Sequence, residues 1–182
     1  MDDISLIKTL HFQIIDTSAH PLFSLAWKLY EDAFSLYEKR TKEEQERSLQ
    51  KKAYSFMACY DAELFVGILS YWEIEGSLFI EHFAIDAALR GQNYGSKVLT
   101  LFLEKQKDIF LEIEPPLCAI SKRRLRFYEK LGFVQNTHKH YQLPFRKDDV
   151  LLSLQILSWQ TPLTKERYDL LYARMQELLP LY

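Results

Sequence analysis

The stretch Ile80-Glu81-His82-Phe83-Ala84-Ile85-Asp86-Ala87-Ala88-Leu89-Arg90-Gly91-Gln92-Asn93-Tyr94-Gly95-Ser96-Lys97-Val98-Leu99 decides how this chain folds. Its opening run of apolar and aromatic residues reads as a strand ending near Ile85, and a helix begins within residues 90–96. A strand that turns directly into a helix gathers unpaired backbone N–H groups and the positive end of the helix dipole at one place. An anion such as a pyrophosphate fits there if the backbone can approach it, and Gly91 and Gly95 remove the side chains that would prevent this. By itself, Gly-x-x-x-Gly also suits an ordinary helix start. The spacing is not that of a phosphate loop ending in Gly-Lys-Ser/Thr, and one such turn after a run of strands does not suit a dinucleotide fold.

Upstream, residues 11–16 read as a first strand. Leu22, Leu25, Ala26, Leu29 and Ala33 recur at helical spacing over residues 22–34. Thr41 followed by Glu44 is a capping box that opens a charged helix over residues 42–52. The period then changes to three strands at residues 55–60, 64–73 and 78–85, joined by tight turns as an antiparallel meander. Downstream, a helix spans residues 93–107 with Val98, Leu99, Phe102 and Leu103 on one face. A strand covers residues 109–113, and a helix covers 121–131 and stops at Gly132. Strands follow at residues 133–137 and 150–159. A last helix over residues 164–179 carries Tyr168, Leu171, Met175 and Leu178 on one side. The order predicts an α/β domain with a mixed, mostly antiparallel central sheet flanked by helices, plus an extra C-terminal helix. The whole chain, 1–182, reads as one domain with its core at about 11–158 and a helical extension at about 162–182.

Composition narrows the function. Of the 182 residues, 48% are hydrophobic, with twelve Phe, eleven Tyr and three Trp, which excludes a disordered chain. A net charge of −2 with both signs interspersed argues against nucleic-acid binding. No apolar run reaches the roughly eighteen residues of a membrane span. No secretory signal is visible in residues 1–9, so a cytoplasmic protein is expected. Cys59 and Cys118 form no disulfide framework, and Cys59 lies in an apolar run that suits a buried thiol. His138 and His140 could share a strand face, but two ligands do not make a metal site.

The segment Arg90-Gly91-Gln92-Asn93-Tyr94-Gly95 resembles the coenzyme A signature of the GCN5-related N-acetyltransferase (GNAT) superfamily, Arg/Gln-x-x-Gly-x-Gly/Ala. Arg123-Arg124-Leu125-Arg126-Phe127-Tyr128-Glu129-Lys130-Leu131-Gly132-Phe133 is similar to the family's second motif, a helix carrying a tyrosine followed by Gly-Phe entering a strand. Asn93 replaces the first glycine of the signature. Asn is the non-glycine residue that best tolerates the left-handed conformation, although its side chain could crowd a phosphate.

The resemblance implies acetyl transfer from acetyl-CoA to an amine of a small molecule, peptide or protein, without a metal. It assigns backbone groups of Phe83, Ala84 and Ile85 to the pantetheine arm. It assigns the amides of Gln92, Asn93, Tyr94, Gly95 and Ser96 to the pyrophosphate, with Arg90 adding charge at the start of the cofactor loop and Gly91 within it, and Ser121 to a position that often carries a coenzyme-touching Asn. Tyr128 matches the family's general acid, and Glu81, two residues before Phe83, is the candidate base. His82 is expected to be a packing residue on the other face. Glu114 is a second candidate for the acceptor, and Arg124 for the adenosine phosphate. Acceptor choice is expected around Tyr30, Phe34, Tyr37, Arg40, Tyr141, Phe145 and Arg146. The apolar stripe of the last helix must bury against its own domain or a second subunit, which makes a homodimer one expectation. The alternative reading is a non-catalytic acyl-CoA-binding module of the same fold.

Overall fold

The computed structural model describes residues 9–104, 106, 108–146 and 151–180. The expected limits at Lys107 and Val150, the leader reading of residues 1–8 and the end of the extension at 181–182 lie outside the described residues. The elements run β1 (Leu10–Ile14), α1 (Phe23–Ala33), α2 (Lys42–Leu49), β2 (Tyr54–Asp61), β3 (Leu64–Ile74), β4 (Ser77–Ile85), α3 (Tyr94–Leu103), β5 (Ile109–Ile113), α4 (Ala119–Lys130), β6 (Phe133–Gln135), β7 (His140–Tyr141), β8 (Ser153–Trp159) and α5 (Lys165–Leu178). Among the described residues the sheet has the order β1-β2-β3-β4-β5-β8-β6, with β7 paired to β8. β4 and β5 are parallel, whereas β1–β2, β5–β8, β6–β8 and β7–β8 are antiparallel. This is the mixed, mostly antiparallel α/β sheet that the sequence predicts.

The chain divides into two compact units. The first comprises the described residues up to Tyr71 together with His82–Gln106. The second comprises Trp72–Glu81 and the described residues from Asp108 onward.

In the first unit, α1 buries Phe23, Ala26, Trp27, Leu29 and Tyr30, while Leu25, expected on the inner face, is 45% exposed. The aromatic series 23-27-30 has the same period as the aliphatic one, and the larger side chains take the core. α2 starts as expected. Thr41 Oγ1 accepts the Glu44 N–H at 3.2 Å, and Glu44 Oε2 accepts the Thr41 N–H at 2.8 Å. α3 turns Val98, Leu99, Phe102 and Leu103 inward.

In the second unit, β5 occupies its expected residues, and Phe79 and Phe110 stack with ring centroids 5.2 Å apart. α4 begins two residues earlier than expected because Cys118, not a residue nearer Ser121, provides the cap. Gly132, at φ +90°, follows the helix end. β7 has only two residues, too few for a periodic signal, and was not anticipated. α5 is capped by Thr164, whose hydroxyl accepts the Arg167 N–H, and it buries Tyr168, Leu171 and Met175. Its Arg167 donates to Glu75 O and Ser77 Oγ, each at 2.7 Å, so the extension packs within its own unit.

Gly67 of β3 is a close-approach position. A Cβ built there would lie 2.3 Å from the carbonyl oxygen of Ala84. No side chain fits that gap without moving the β4 backbone. Gly67→Ala is expected to lower stability by about 1–3 kcal/mol in equilibrium chemical denaturation; an unchanged midpoint would contradict the close approach.

Candidate active site

In the first unit, β4 ends at Ile85, and Asp86 Oδ1 caps the following turn by accepting the Ala88 N–H at 2.8 Å. The N–H groups of Leu89, Arg90 and Gln92 are used inside the turn, donating to the carbonyls of Asp86, Ala87 and Leu89. Gly91 has φ +82°, and Asn93 has φ 65° and ψ 9°, the left-handed conformation that a glycine there would supply. α3 follows immediately, and its first backbone bond runs from Lys97 N–H to Asn93 O. Among the described residues no acceptor takes the N–H groups of Asn93, Tyr94, Gly95 or Ser96, and Asn93 provides no side-chain cap.

Four consecutive donors thus remain open at the positive end of a ten-residue helix. Gln92, expected among the donors, is removed from that set: its amide reaches Leu89 O at 3.3 Å and its side chain reaches Ala88 O. Tyr94 serves as an anchor. Its hydroxyl donates to Asp61 Oδ2 at 3.0 Å, and the Lys97 ammonium lies 5.5 Å from its ring centre. Arg90 is exposed and reaches back to Ile85 O through Nε at 3.4 Å.

Along β4 the backbone serves its two edges alternately. The Ala84 carbonyl lies against Gly67, and the Asp86 N–H donates to Val66 O, so both face β3. The N–H and C=O groups of Phe83 and Ile85 therefore point to the edge away from β3, where an extended ligand can bond. Of the three expected pantetheine residues, Ala84 has its polar groups turned the wrong way.

His82 is more than a packing residue. It is buried, its Nε2 donates to Glu38 O at 2.7 Å, and its Nδ1 lies 3.3 Å from Ser70 Oγ. The Tyr30 hydroxyl accepts the Arg40 N–H at 2.9 Å and lies 3.4 Å from His82. Tyr30 and Arg40, expected to meet an acceptor, are 0% and 3% exposed and form part of this interior network, whereas Tyr37 is on the surface.

In the second unit, Tyr128 of α4 lies edge-on to Phe127 and Phe133. Burial pushes its hydroxyl up to about 12, against the opposing pull of Arg124. No hydrogen-bond partner for that hydroxyl occurs among the described residues, in contrast to Tyr168 and Tyr172. Glu81 is half-buried, and its Oε2 accepts the indole N–H of the fully buried Trp72 at 3.0 Å.

Ser121 lies at the start of α4 and takes part in its cap. Its buried hydroxyl accepts the Cys118 N–H at 3.1 Å and lies 3.3 Å from Cys118 Sγ, closing the cap of α4. Arg124 pairs with Glu114, so each of these candidates occupies the other. His140 and Glu112 form a short contact that sequence reading missed, because 28 residues separate them and neither lies in a motif. Among the described residues no group of three or more His, Cys, Asp or Glu could hold a metal ion, and no helix is long and apolar enough to cross a membrane.

A Bacillus subtilis (strain 168) protein named "Putative acetyltransferase YjbC" is 28% identical over 111 residues, 60% of this chain and 57% of that protein, so the match spans little more than half of the relative's length. A solved structure described as "Putative acetyltransferase from GNAT family from Bacteroides thetaiotaomicron" is 27% identical, with a TM-score of 0.87, and the match covers 94% of this chain and 99% of that one. A GNAT family acetyltransferase from Elizabethkingia anophelis, solved with acetyl-CoA bound, shares the fold at 12% identity and a TM-score of 0.55, covering 84% and 99% of the two chains. Residues 19–133 match the Acetyltransferase (GNAT) family, and the chain belongs to it.

Proposed function

We propose that this protein transfers the acetyl group of acetyl-CoA to a primary amine of a small molecule, peptide or protein by direct attack. The observation that carries this reading is the row of open N–H donors at Asn93–Ser96, which matches what a diphosphate requires. The acetyl-CoA seen in the Elizabethkingia anophelis relative supports the choice of donor. Asn93 does not favour the binding-module alternative, because it already adopts the backbone conformation of the glycine it replaces.

In this reading Phe83 and Ile85 bond the pantetheine arm through their outward backbone groups, and Arg90 adds positive charge. The attacking amine must be neutral, and Glu81, with Oε2 held by Trp72, accepts the proton of the incoming ammonium. The amine then attacks the acetyl carbonyl, the C–N bond forms and the C–S bond breaks. Tyr128 acts on the departing sulfur.

Its hydroxyl, at about 12, stays protonated through the neutral and mildly alkaline range. An ordinary thiol lies lower, near roughly 8.5, so complete transfer of the tyrosine proton to the thiolate is uphill. Tyr128 therefore contributes by hydrogen-bonding the developing thiolate, and the proton the sulfur finally keeps comes from the acylated nitrogen.

Three substitutions test the assignment. Gly95→Val is expected to weaken acetyl-CoA binding by about tenfold or more in calorimetric titration while the fold is retained; unchanged affinity would contradict the phosphate cradle. Asn93→Gly is expected to preserve coenzyme affinity, and a tenfold loss would show that the amide side chain itself binds. Tyr128→Phe is expected to lower kcat by about 10²-fold with little effect on coenzyme affinity. A variant as fast as the parent would remove Tyr128 from the chemistry.

A further inference from the structure

α3 opens without a side-chain cap, yet its first turn is braced from the side. Tyr94 is the first residue of the helix, and its hydroxyl donates to Asp61 Oδ2 at 3.0 Å. The Lys97 ammonium, one turn further on, lies 5.5 Å from the centre of the same ring. These groups all belong to the first unit.

Asp61 is itself built into the sheet. It is the last residue of β2, where it stands opposite Leu10 of β1. The next N–H, that of Ala62, donates to Thr9 O at 2.9 Å. Thr9 also donates its hydroxyl to Asp61 Oδ1, so each carboxylate oxygen has its own partner and the side chain is fixed in direction. The Tyr94 hydroxyl is thus tied to the frame of β1 and β2.

A side-chain cap would steady this turn by accepting N–H groups that a ligand needs. A brace through the Tyr94 hydroxyl consumes none of them. Helix ends fray, and donors that fray must be ordered again when a ligand binds, which weakens affinity. Charge supplies a second argument. A carboxylate near a helix N-terminus favours the helix dipole but repels an incoming diphosphate. By charge alone Asp61 hinders the coenzyme, and what it contributes is position.

We propose that Asp61 is a positioning residue for the coenzyme. With Tyr94 it forms a strut, oriented by Thr9, that stands in for a cap and keeps the amides of Asn93–Ser96 aimed at the diphosphate. This rests on the acetyl-CoA reading above. Asp61 takes no part in acetyl transfer, so it acts on coenzyme affinity and leaves the rate of the loaded enzyme alone. The first strand, which sequence alone would assign only to the sheet, thereby helps to set the aim of the coenzyme turn.

The test uses the full chain, calorimetry of acetyl-CoA binding and steady-state kinetics with a panel of primary amines. Asp61→Ala and Tyr94→Phe are each expected to weaken acetyl-CoA binding about three- to tenfold. In Asp61→Ala the loss falls on KM for acetyl-CoA, with kcat at saturation unchanged. Asp61→Asn, which keeps an oxygen for the Tyr94 hydroxyl, is expected to recover most of the affinity. The double variant is expected to lose no more than either single one, because both remove the same bond. If Asp61→Ala fails to fold, hydrogen exchange of coenzyme-free Tyr94→Phe carries the test. The Lys97 amide, donor of the first helix bond, is expected to exchange faster there than in the parent, and an unchanged rate overturns the strut. Parent-like or tighter binding in Asp61→Ala, the outcome of charge alone, overturns the proposal, as do additive losses or an Asp61→Asn variant as weak as Asp61→Ala. If the parent binds no acetyl-CoA, the acetyl-CoA reading fails and this assignment fails with it. Parent binding that Gly95→Val weakens and Asp61→Ala leaves unchanged overturns this assignment alone.

Discussion

The first turn of an α-helix cannot use its own leading N–H groups, and at the start of α3 no acceptor among the described residues takes them either. Most helices satisfy those donors with a side-chain cap, as Thr41 does for α2 and Thr164 for α5. α3 lacks such a cap. Its preceding residue, Asn93, is turned left-handed, and the side chain makes no cap bond. Leaving exposed donors to water costs little, but it forgoes roughly 1 kcal/mol of capping stability. That sacrifice is intelligible if the donors are kept for a ligand. The anchors around the turn fit the same account: Asp86 fixes its entry, and Asp61 holds Tyr94 at the first position of the helix.

The second unit shows a comparable division between groups that are committed and groups that are free. The hydroxyls of Ser121, Tyr168 and Tyr172 are bound to their own surroundings, and Arg124 and Glu114 neutralise each other. Among the described residues no partner takes the Tyr128 hydroxyl or the second oxygen of Glu112. Half-exposed ion pairs such as Arg124–Glu114 contribute little to stability. Catalytic capacity is better judged from what a side chain has left over than from its type.

The fold was largely legible because its strongest signals are local. The Thr41/Glu44 capping box, the inner face of α3, the span of β5 and the stripe of α5 each depend on a few residues of fixed period. Periodicity could not rank two competing faces of α1, and volume decided in favour of Trp27 over Leu25. A two-residue strand such as β7 carries no period at all.

The site was legible at the level of motifs and less so at the level of atoms. Motif spacing identified the Arg90–Ser96 turn, but not that the Gln92 amide is used inside it, nor that Ala84 turns its carbonyl toward β3. Those facts depend on backbone direction, which residue types do not encode. At Ser121 the hydroxyl serves the α4 cap, a use that residue type does not separate from ligand contact. The Glu112–His140–Tyr168 chain joins three elements far apart in sequence, and without aligned relatives no local signal could reveal it.

The central claim is that the amides of Asn93–Ser96 grip a diphosphate. Backbone amide NMR of the labelled protein, followed during titration with acetyl-CoA, tests it most directly. The account predicts that the N–H resonances of Asn93, Tyr94, Gly95 and Ser96 shift downfield together and saturate with the coenzyme, while that of Gln92, already bonded to Leu89, moves less. Saturable binding that leaves these four resonances in place would contradict it.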